Sequence, residues 1–227
     1  MKLNRRLAFI DQLITQHYRD IWDCCCDHGQ LGAQLLQREI AGTVHFVDQV
    51  STISAQLEQQ LQRFFPCNKS HSSPKWLVHC IDAGELPLSA AHPSQTEELI
   101  IIAGVGGELC IQLIDSILSK HPQRPLEFIL CPVHHQYELR EFLAKKKLAL
   151  LSEHLIEDKR RCYEVLHVST TAGLNISPIG QQMWQLTNPE HRRYLLRTIQ
   201  HYQRMSQASA HPALSQYQAL LEPDEHQ

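Results

Sequence analysis

The chain has 227 residues, of which 43% are hydrophobic and 20% charged, and its mean hydropathy is -0.30. This composition is typical of a soluble globular protein and excludes disordered chains, fibrous chains and stapled mini-proteins. A net charge of -3 excludes a polycation that binds nucleic acid over its whole surface, so nucleic-acid binding would need a local basic patch. No apolar run reaches the roughly 18 residues of a membrane span, so we expect a cytoplasmic protein without membrane contact.

The first predicted element is a helix over Arg5 to Gln16, after which short apolar runs alternate with helical patterns. The predicted strands are Asp20 to Cys25, Thr43 to Asp48, Trp76 to Cys80, Leu99 to Ala103, Glu127 to Cys131, Ala149 to Leu155 and Tyr163 to Val168. The predicted helices among them are Leu31 to Arg38, Ser51 to Phe64, Gly107 to Ser119 and Gln136 to Lys146. The alternation predicts a parallel sheet covered by helices, closed by an antiparallel pair of strands.

The composition changes after Val168, where the linker-like segment Thr170 to Gly173 begins. We therefore predict one domain over residues 1–169 and a small helical domain over 174–227. Its predicted helices lie near Gln181 to Leu186, Pro189 to Ser206 and Pro212 to Leu221. Two stretches rich in Ser, His and Pro, Asn68 to Pro74 and Ala91 to Gln95, are predicted loops.

The end of the first predicted strand carries the first chemical signal. Asp23 is followed by Cys24-Cys25-Cys26-Asp27-His28-Gly29 and then by a helix. An acid at the carboxyl end of a strand, a tight turn and a helix are what an open α/β sheet uses to bind a ligand in its crevice. The spacing does not match the dinucleotide pattern G-x-G-x-x-G, so this segment alone is a weak signal.

Three further strand ends carry polar or glycine-rich signals. Asp48 follows the second strand, where nucleoside-binding folds place a carboxylate that accepts both ribose hydroxyls, although an ordinary capping residue is the alternative. Asp82 follows the third strand and could accept a hydrogen bond from an adenine amino group. After the fourth strand, Gly104, Gly106 and Gly107 would let the backbone pass close to a ligand. Together the four ends predict one binding site.

Taken together, these segments resemble the bacterial tRNA (adenine-22-N1)-methyltransferases, class I enzymes that use S-adenosyl-L-methionine. The resemblance spans almost the whole chain and rests on Arg6-Leu7, Asp27-His28, Asp82, Ile102-Ala103-Gly104-x-Gly106-Gly107, Pro132, Arg140 and Cys162-Tyr163-Glu164-Val165-Leu166. It implies an α/β, Rossmann-like methyltransferase fold with a mostly parallel seven-stranded sheet, an antiparallel last strand and a small C-terminal helical domain. It also implies a tRNA substrate methylated at N1 of an adenine, and we expect a monomer without a metal.

The resemblance assigns roles to residues of this chain. The implied cofactor-binding residues are Arg6, Asp23, Cys25, Asp27, Gly29, Asp48, Asp82, Ala83, Ala103, Gly104 and Gly106. The implied catalytic residues are Asp27, His28 and Pro132. The first two would orient the base or accept a proton late in the reaction, unless Asp27 only stabilises its loop and His28 is a partly buried structural imidazole. Arg192, Arg193, Arg197 and Arg204 recur near helical spacing in the tail and would contact phosphates, unless they form only a solvated helix face.

Two departures from the family pattern keep other functions open. Cys25 stands where the family usually has a glycine, and Cys131-Pro132-Val133 replaces Gln-Pro-Asn, with the loss of two groups able to hydrogen-bond a flipped base. His134, His135 or Gln136 could supply polar contacts instead. The alternatives are a methyltransferase for another RNA position and a non-catalytic RNA- or adenosyl-binding protein whose active site has decayed.

A metal site is a further alternative. Cys131-x-x-His134-His135, together with Cys24 to Cys26, Asp27 and His28, offers soft and imidazole ligands for zinc or iron. The sequence contains no C-x-x-C pair, which weakens this hypothesis. The basic runs Lys145-Lys146-Lys147 and Lys159-Arg160-Arg161 are interpreted as solvent-exposed runs rather than binding sites, although both lie on the predicted methyltransferase body, where RNA could pass.

Overall fold

The computed structural model describes residues 3–66, 75–88, 98–206 and 211–221, so the two predicted loops at 68–74 and 91–95 lie outside the described residues. The strands are β1 (Tyr18–Cys24), β2 (Ala41–Val47), β3 (Trp76–His79), β4 (Glu98–Ala103), β5 (Glu127–Cys131), β6 (Ala149–Asp158) and β7 (Arg161–Ser169). The helices are α1 (Arg5–Leu13), α2 (Gln30–Arg38), α3 (Ser51–Phe64), α4 (Gly107–Lys120), α5 (Gln136–Lys145), α6 (Pro189–Met205) and α7 (Pro212–Ala219), and a 3₁₀ turn covers Ala83–Glu85. None of the described helices is both long and apolar enough to cross a membrane.

The seven strands form one sheet in the order β3-β2-β1-β4-β5-β7-β6, which confirms the predicted seven-stranded sheet. β1 pairs in parallel with both β2 and β4, while β7 runs antiparallel to both β5 and β6. The strand order changes direction between β1 and β4, and ligands of open α/β sheets bind outside the carboxyl ends of the strands at such a point. The topology therefore favours a ligand site at the carboxyl ends of β1, β2 and β4.

Helices cover both faces of the sheet, which explains why the central strand β4 has an apolar run without alternation. Ile100 of β4 packs in one core cluster with side chains of α4 and α5, whereas its neighbour Ile101 packs in the other with α1, α2 and α3. Both residues are fully buried. A parallel strand that is buried on both faces needs a continuous hydrophobic run, and Ile100-Ile101-Ile102 is such a run.

The charged stretch between the last two predicted strands is a tight hairpin. β6 ends at Asp158 and β7 begins at Arg161, so only Lys159 and Arg160 form the turn. Both have positive φ, 49° and 65° respectively, as a two-residue hairpin turn requires. The strands are thus longer than predicted, and the turn presents basic side chains at its tip.

The predicted helix over Gln181 to Leu186 is wrong, because this segment forms irregular turns. Two of its backbone N–H groups, at residues 181 and 182, donate to one carboxylate oxygen of Glu153 at 2.6 Å each. Met183 is buried, and the Trp184 ring stacks on Tyr194. A six-residue helix has little stability of its own, so these tertiary contacts decide the conformation.

The C-terminal segment packs against the rest of the chain along most of its length. Leu174 forms an antiparallel bridge with Leu150 of β6, with N–O distances of 2.7 and 2.9 Å. The apolar cluster of α6 and α7 also includes Tyr137 of α5. The division into domains at residues 169 and 174 stays a prediction, although these contacts hold the segment to the sheet.

A buried ionic network fastens α6 and the preceding turns to the sheet. Arg140 of α5 is fully buried and donates to Glu153 of β6 at 2.6 Å and to Glu164 of β7 at 2.8 Å. The hydroxyl group of Tyr194 in α6 donates to the other carboxylate oxygen of Glu164 at 2.8 Å. Burial alone would raise the pKa of Glu153, but the charge of Arg140 and the hydrogen bonds lower it, so this carboxylate stays ionised.

We predict that Arg140→Leu lowers the free energy of unfolding by about 3–5 kcal/mol, because it leaves two buried carboxylates without a cation. Chemical denaturation at neutral pH measures the change. The control is Arg193→Leu, which removes a half-exposed arginine paired with Glu157 and Glu190 and should cost less than about 1 kcal/mol. Equal losses in the two variants would show that the buried network has no special importance.

Candidate functional site

The loops that follow β1 and β2 meet at one edge of the sheet and hydrogen-bond to each other. The backbone N–H of Cys26 donates to the carbonyl of Val47 at 3.2 Å, and that of Asp27 donates to the Asp48 carboxylate at 3.3 Å. The N–H of Asp48 in turn donates to the carbonyl of His79, at the end of β3, at 3.1 Å. The structure therefore brings together the strand-end acids that the sequence analysis singled out separately.

The turn after β1 is built from residues in the left-handed region. The φ angles are 56° at Cys25, 49° at Asp27 and 62° at Gly29. A residue with a side chain pays roughly 1–2 kcal/mol for this conformation, and such cost is typical of functional sites. A Cβ atom at Gly29 would also lie 2.6 Å from Leu57 Cδ1 of α3, so the Leu57 side chain would have to move to accept it. Gly29 therefore allows the turn after β1 to adopt this conformation and to pack closely against α3.

Asp23 supports the turn from within the protein. Its side chain is buried, and its carboxylate accepts the backbone N–H of Gly32 at 2.9 Å, which ties the end of β1 to the first turn of α2. Burial raises the pKa of Asp23 to about 7, and the bond from Gly32 offsets only part of that effect. Asp23 thus lies behind the surface that a ligand would touch.

The carboxylates of Asp48 and Asp82 can each accept more hydrogen bonds than they receive from the described residues. One oxygen of Asp48 accepts the N–H of Val50 at 2.9 Å and the other accepts from the turn after β1, while one oxygen of Asp82 accepts the N–H of Gly84 at 2.7 Å. Each carboxylate oxygen has two lone pairs, so both groups can accept further hydrogen bonds from hydroxyl or amino groups. Asp82 is exposed, and Ala83 beside it is buried.

Cys25 lies among these acids. Its thiol pKa is raised to about 11, first by burial and then by the negative charges of Asp48, Asp23 and Asp82. The thiol is therefore protonated at neutral pH and is a poor nucleophile. Its half-buried side chain occupies space that a glycine would leave free.

The glycines after β4 serve two different contacts. Gly104, with φ of 92°, lies against the guanidinium of Arg6, whereas a Cβ atom at Gly106 would collide with the imidazole of His134. Gly107 is approached closely by the backbone carbonyl of His135. All three glycines are predicted to let a ligand approach the backbone closely; in the structure, the turn after β5 approaches Gly106 and Gly107.

The same two turns are joined by backbone hydrogen bonds. Gly104 donates to the carbonyl of Cys131 at 3.0 Å, Val133 to that of Val105 at 2.9 Å, and Gly107 to that of His134 at 2.9 Å. Pro132, between these bonds, is buried. Pro132 therefore shapes the turn after β5, and the neighbouring Val133 is exposed at its surface.

Asp27 and His28 are the accessible members of the predicted catalytic set. Their side chains are 67% and 66% exposed, and the closest approach of their carboxylate and imidazole atoms is 3.7 Å. They stand on the turn after β1, next to Asp48. An exposed carboxylate beside an imidazole can orient a base or balance positive charge on it.

Three of the four arginines of the C-terminal segment share one face of α6, since Arg193, Arg197 and Arg204 lie within about 40° of one another around the helix. Arg193 pairs with Glu190 and Glu157, whereas Arg197 lines a cleft between α6 and the sheet. Arg192 is exposed and lies about 100° around the helix from Arg193. Arg204, in the last turn of α6, is also exposed.

The opposite wall of the cleft holds residues that sequence reasoning set aside. Arg160 and Arg161, at the tip of the β6–β7 hairpin, line it together with His134 and His135. The sequence signal for this wall is the basic run Lys159-Arg160-Arg161. The run alone does not indicate a binding site, because only the folded hairpin brings it opposite α6.

The residues of the metal hypothesis are not assembled into a site. Among residues 3–66, 75–88, 98–206 and 211–221, no three His, Cys, Asp or Glu side chains are grouped so that they could hold a metal ion. Cys131 is buried within the sheet, and the imidazole of His134 lies against Gly106.

Comparison with known proteins is consistent with this geometry. The model of the methyltransferase-domain family matches residues 3–166. A Mycoplasma pneumoniae protein provisionally named as a tRNA methyltransferase is 28% identical over 170 residues, or 74% of this chain and 72% of that protein. The Bacillus subtilis tRNA (adenine(22)-N(1))-methyltransferase is 31% identical over 93 residues, or 36% of this chain and 39% of that protein.

Solved structures share the fold. Mycoplasma capricolum TrmK in complex with S-adenosyl-homocysteine has a TM-score of 0.71 at 14% identity, over 97% of this chain and 95% of that one. The Bacillus subtilis tRNA methyltransferase TrmK has a TM-score of 0.64 at 21% identity, over 96% and 94%. The predicted Rossmann-like methyltransferase fold is confirmed.

The raised pKa of Asp23 predicts a specific dependence of stability on pH. An aspartate in the unfolded chain loses its proton near pH 4, whereas the folded protein holds it up to about pH 7. Between these values the folded state binds more protons, so this residue makes the free energy of unfolding fall as pH rises.

Chemical denaturation at pH 5 and pH 7.5 tests this prediction with Asp23→Asn, which keeps an acceptor for Gly32 but cannot ionise. The variant should lose stability less steeply than the parent over this range. Asp27→Asn, an exposed aspartate on the same turn, should leave the parent's slope in place. If the free energy of unfolding changed equally with pH in the parent and in Asp23→Asn, the prediction would be contradicted.

Proposed function

The chain belongs to the methyltransferase-domain family, and on this premise we propose that it is an S-adenosyl-L-methionine-dependent tRNA methyltransferase acting on N1 of an adenine. The observation that carries the proposal is the meeting of Asp48, Asp82 and the turn after β1 at the topological switch point of the sheet. The proposal is also supported by the names of the two curated relatives, one of which is a tRNA (adenine(22)-N(1))-methyltransferase and the other of which is provisionally named as a tRNA methyltransferase.

The residues at this edge fit the cofactor's nucleoside half. Asp48 has free lone pairs for the two ribose hydroxyls, and Asp82 can accept from the adenine amino group. Ala83 contributes a small, buried side chain next to Asp82, and Ala103 is the last residue of β4, directly before Gly104. Asp23 and Gly29 then act as positioning residues, because one supports the turn from a buried site and the other lets it pack on α3.

The other half of the cofactor fits between the turns after β1 and β4. Arg6 lies against Gly104 and can pair with the carboxylate of the methionine part. Cys25 lies in the turn after β1, and its half-buried side chain takes up space that a glycine would leave free. Gly106 would not contact the cofactor itself, because the His134 imidazole lies against it. It would act by leaving room for that imidazole.

When bound, S-adenosyl-L-methionine supplies an electrophilic methyl group on its sulfonium. The adenine N1 carries a lone pair, so the protein needs to align the base, exclude water and balance the positive charge of the methylated ring. The exposed carboxylate of Asp27 can balance that charge, and His28 can orient the base. Pro132 is buried in the turn after β5, and its role would be to fix the shape of that turn next to the bound base.

A second candidate is methylation of another RNA position. Val133 is 41% exposed and presents an apolar side chain where the family has an amide that can hydrogen-bond a base. An enzyme discriminates between bases mainly through the hydrogen bonds that the wrong base would leave unmade. The loss of this amide would therefore change which nucleotide the enzyme accepts.

We predict that Asp48→Ala and Asp82→Ala each weaken binding of S-adenosyl-L-methionine by roughly tenfold or more, because each removes a charged hydrogen-bond acceptor. Titration calorimetry measures the dissociation constants. Glu58→Ala, an exposed acid on α3, is the control and should bind like the parent. Unchanged affinity in both aspartate variants would contradict the assigned cofactor site.

Methyl transfer to unmodified tRNA transcripts, followed by nucleoside analysis, tests the reaction itself. We expect 1-methyladenosine, and a transcript in which the target adenine is replaced by guanine should not be methylated. A different methylated nucleoside would favour the second candidate. Cofactor binding without any methyl transfer would indicate a binding protein with a decayed site.

A further inference from the structure

A cleft of about 580 Å³ separates α6 from the sheet and lies beside the proposed cofactor site. Its walls come from the turn after β5 with the start of α5 (133–138), from the β6–β7 hairpin (160–163) and from α6 (194–205). Pockets that hold small organic ligands span roughly 300–1,000 Å³, so the cleft is large enough for a nucleotide.

The cleft is positively charged from two sides. Arg160 and Arg161 line it from the hairpin, and Arg197 lines it from α6. None of these three guanidinium groups has an ion pair with a described residue, in contrast to Arg193, which two acids neutralise. Cations that converge from separate elements without a protein counterion suit a phosphate group.

The cleft also offers rings and an unpaired acceptor for a base. Tyr163 and His201 lie along its sides, above a floor that includes the stacked rings of Tyr202 and Tyr217. One carboxylate oxygen of Glu138 is buried on the wall without a hydrogen-bond partner among the described residues. Aromatic faces stack on bases, and such an oxygen can accept from a base amino group.

Two side chains connect the cleft with the edge where methyl transfer would occur. His134 lines the cleft while its imidazole lies against Gly106. Arg6 contacts Gly104 and also lies 5.1 Å from the ring centre of Tyr163, which lines the cleft. The cleft and the proposed active site are therefore neighbours along one continuous surface.

The cleft is formed in advance, because its opposing walls are locked together. Tyr194, on the α6 side, is bonded to Glu164 of β7, which is bonded to the buried Arg140. Burial first, and then the charge of Glu164, raise the pKa of the Tyr194 hydroxyl well above its usual value, so it remains a hydrogen-bond donor. A preformed site loses less conformational entropy when its ligand binds.

We propose that this cleft binds an unstacked nucleotide that neighbours the target adenine, with its phosphate on Arg160, Arg161 and Arg197 and its base against Tyr163. This inference rests on the proposed function, because an adenine inside a folded tRNA must be unstacked before it can enter the pocket. The cleft would hold the adjoining strand in that opened state.

Charge removal tests the phosphate contact. The double variant Arg160→Gln/Arg161→Gln and the single variant Arg197→Gln should bind tRNA more weakly, by roughly tenfold for the double variant. The slope of log affinity against log salt should fall by about 0.7–0.9 for each lost contact. Affinity for S-adenosyl-L-methionine should not change. Lys145→Gln/Lys147→Gln removes two exposed cations outside the cleft and should leave tRNA binding intact.

Photo-crosslinking identifies the nucleotide. A tRNA with 4-thiouridine next to the target adenine should crosslink to peptides that contain residues 160–163 or 194–205, and the double arginine variant should crosslink less. Crosslinks to other peptides only, or tRNA affinity that is unchanged in both arginine variants of a protein that transfers methyl groups, would overturn the cleft proposal alone. Weakened tRNA binding in a protein that transfers no methyl group would support an RNA site in the cleft and overturn the proposed function.

Discussion

The guanidinium of Arg140 is 0% exposed and is bonded to two carboxylates that are themselves buried, one on each strand of the closing hairpin. Three buried charges are tolerated only because each is paired and hydrogen-bonded. Glu153 also receives two backbone N–H groups from the turns before α6, and Glu164 receives the hydroxyl of Tyr194. This network therefore sets where α6 lies relative to the sheet, and α6 supplies one wall of the cleft.

The second constraint is the close contact between the turns that follow β4 and β5. Backbone hydrogen bonds continue beyond the end of the sheet, and two glycines leave room for the two histidines of the second turn. The consequence is that the proposed cofactor site, at the turn after β4, and the cleft, at the turn after β5, share a border held by backbone hydrogen bonds. His134 stands on that border, so it can contact a ligand on either side.

Negative charge is concentrated at the proposed cofactor site and positive charge in the cleft. The carboxyl groups gather around Cys25, where they suit the hydroxyl and amino groups of a nucleoside, and the same charges help to keep the thiol protonated. The unpaired arginines gather in the cleft. A net charge of -3 thus coexists with a local surface that suits phosphate, because the proposed sites for nucleoside and RNA use opposite charges.

The sequence by itself determined the strands and helices up to Ser169, the parallel sheet with its antiparallel close, and the strand-end positions of Asp23, Asp48 and Asp82. Periodicity and buried apolar runs are local signals, and parallel strands bring their carboxyl ends to one edge whatever the details of packing. The irregular turns at 181–186, the pairing of Arg193 with Glu157 and Glu190, and the position of Arg160 and Arg161 opposite α6 were decided only by the tertiary structure. Those features depend on which distant side chains meet, and a single sequence does not record such pairings.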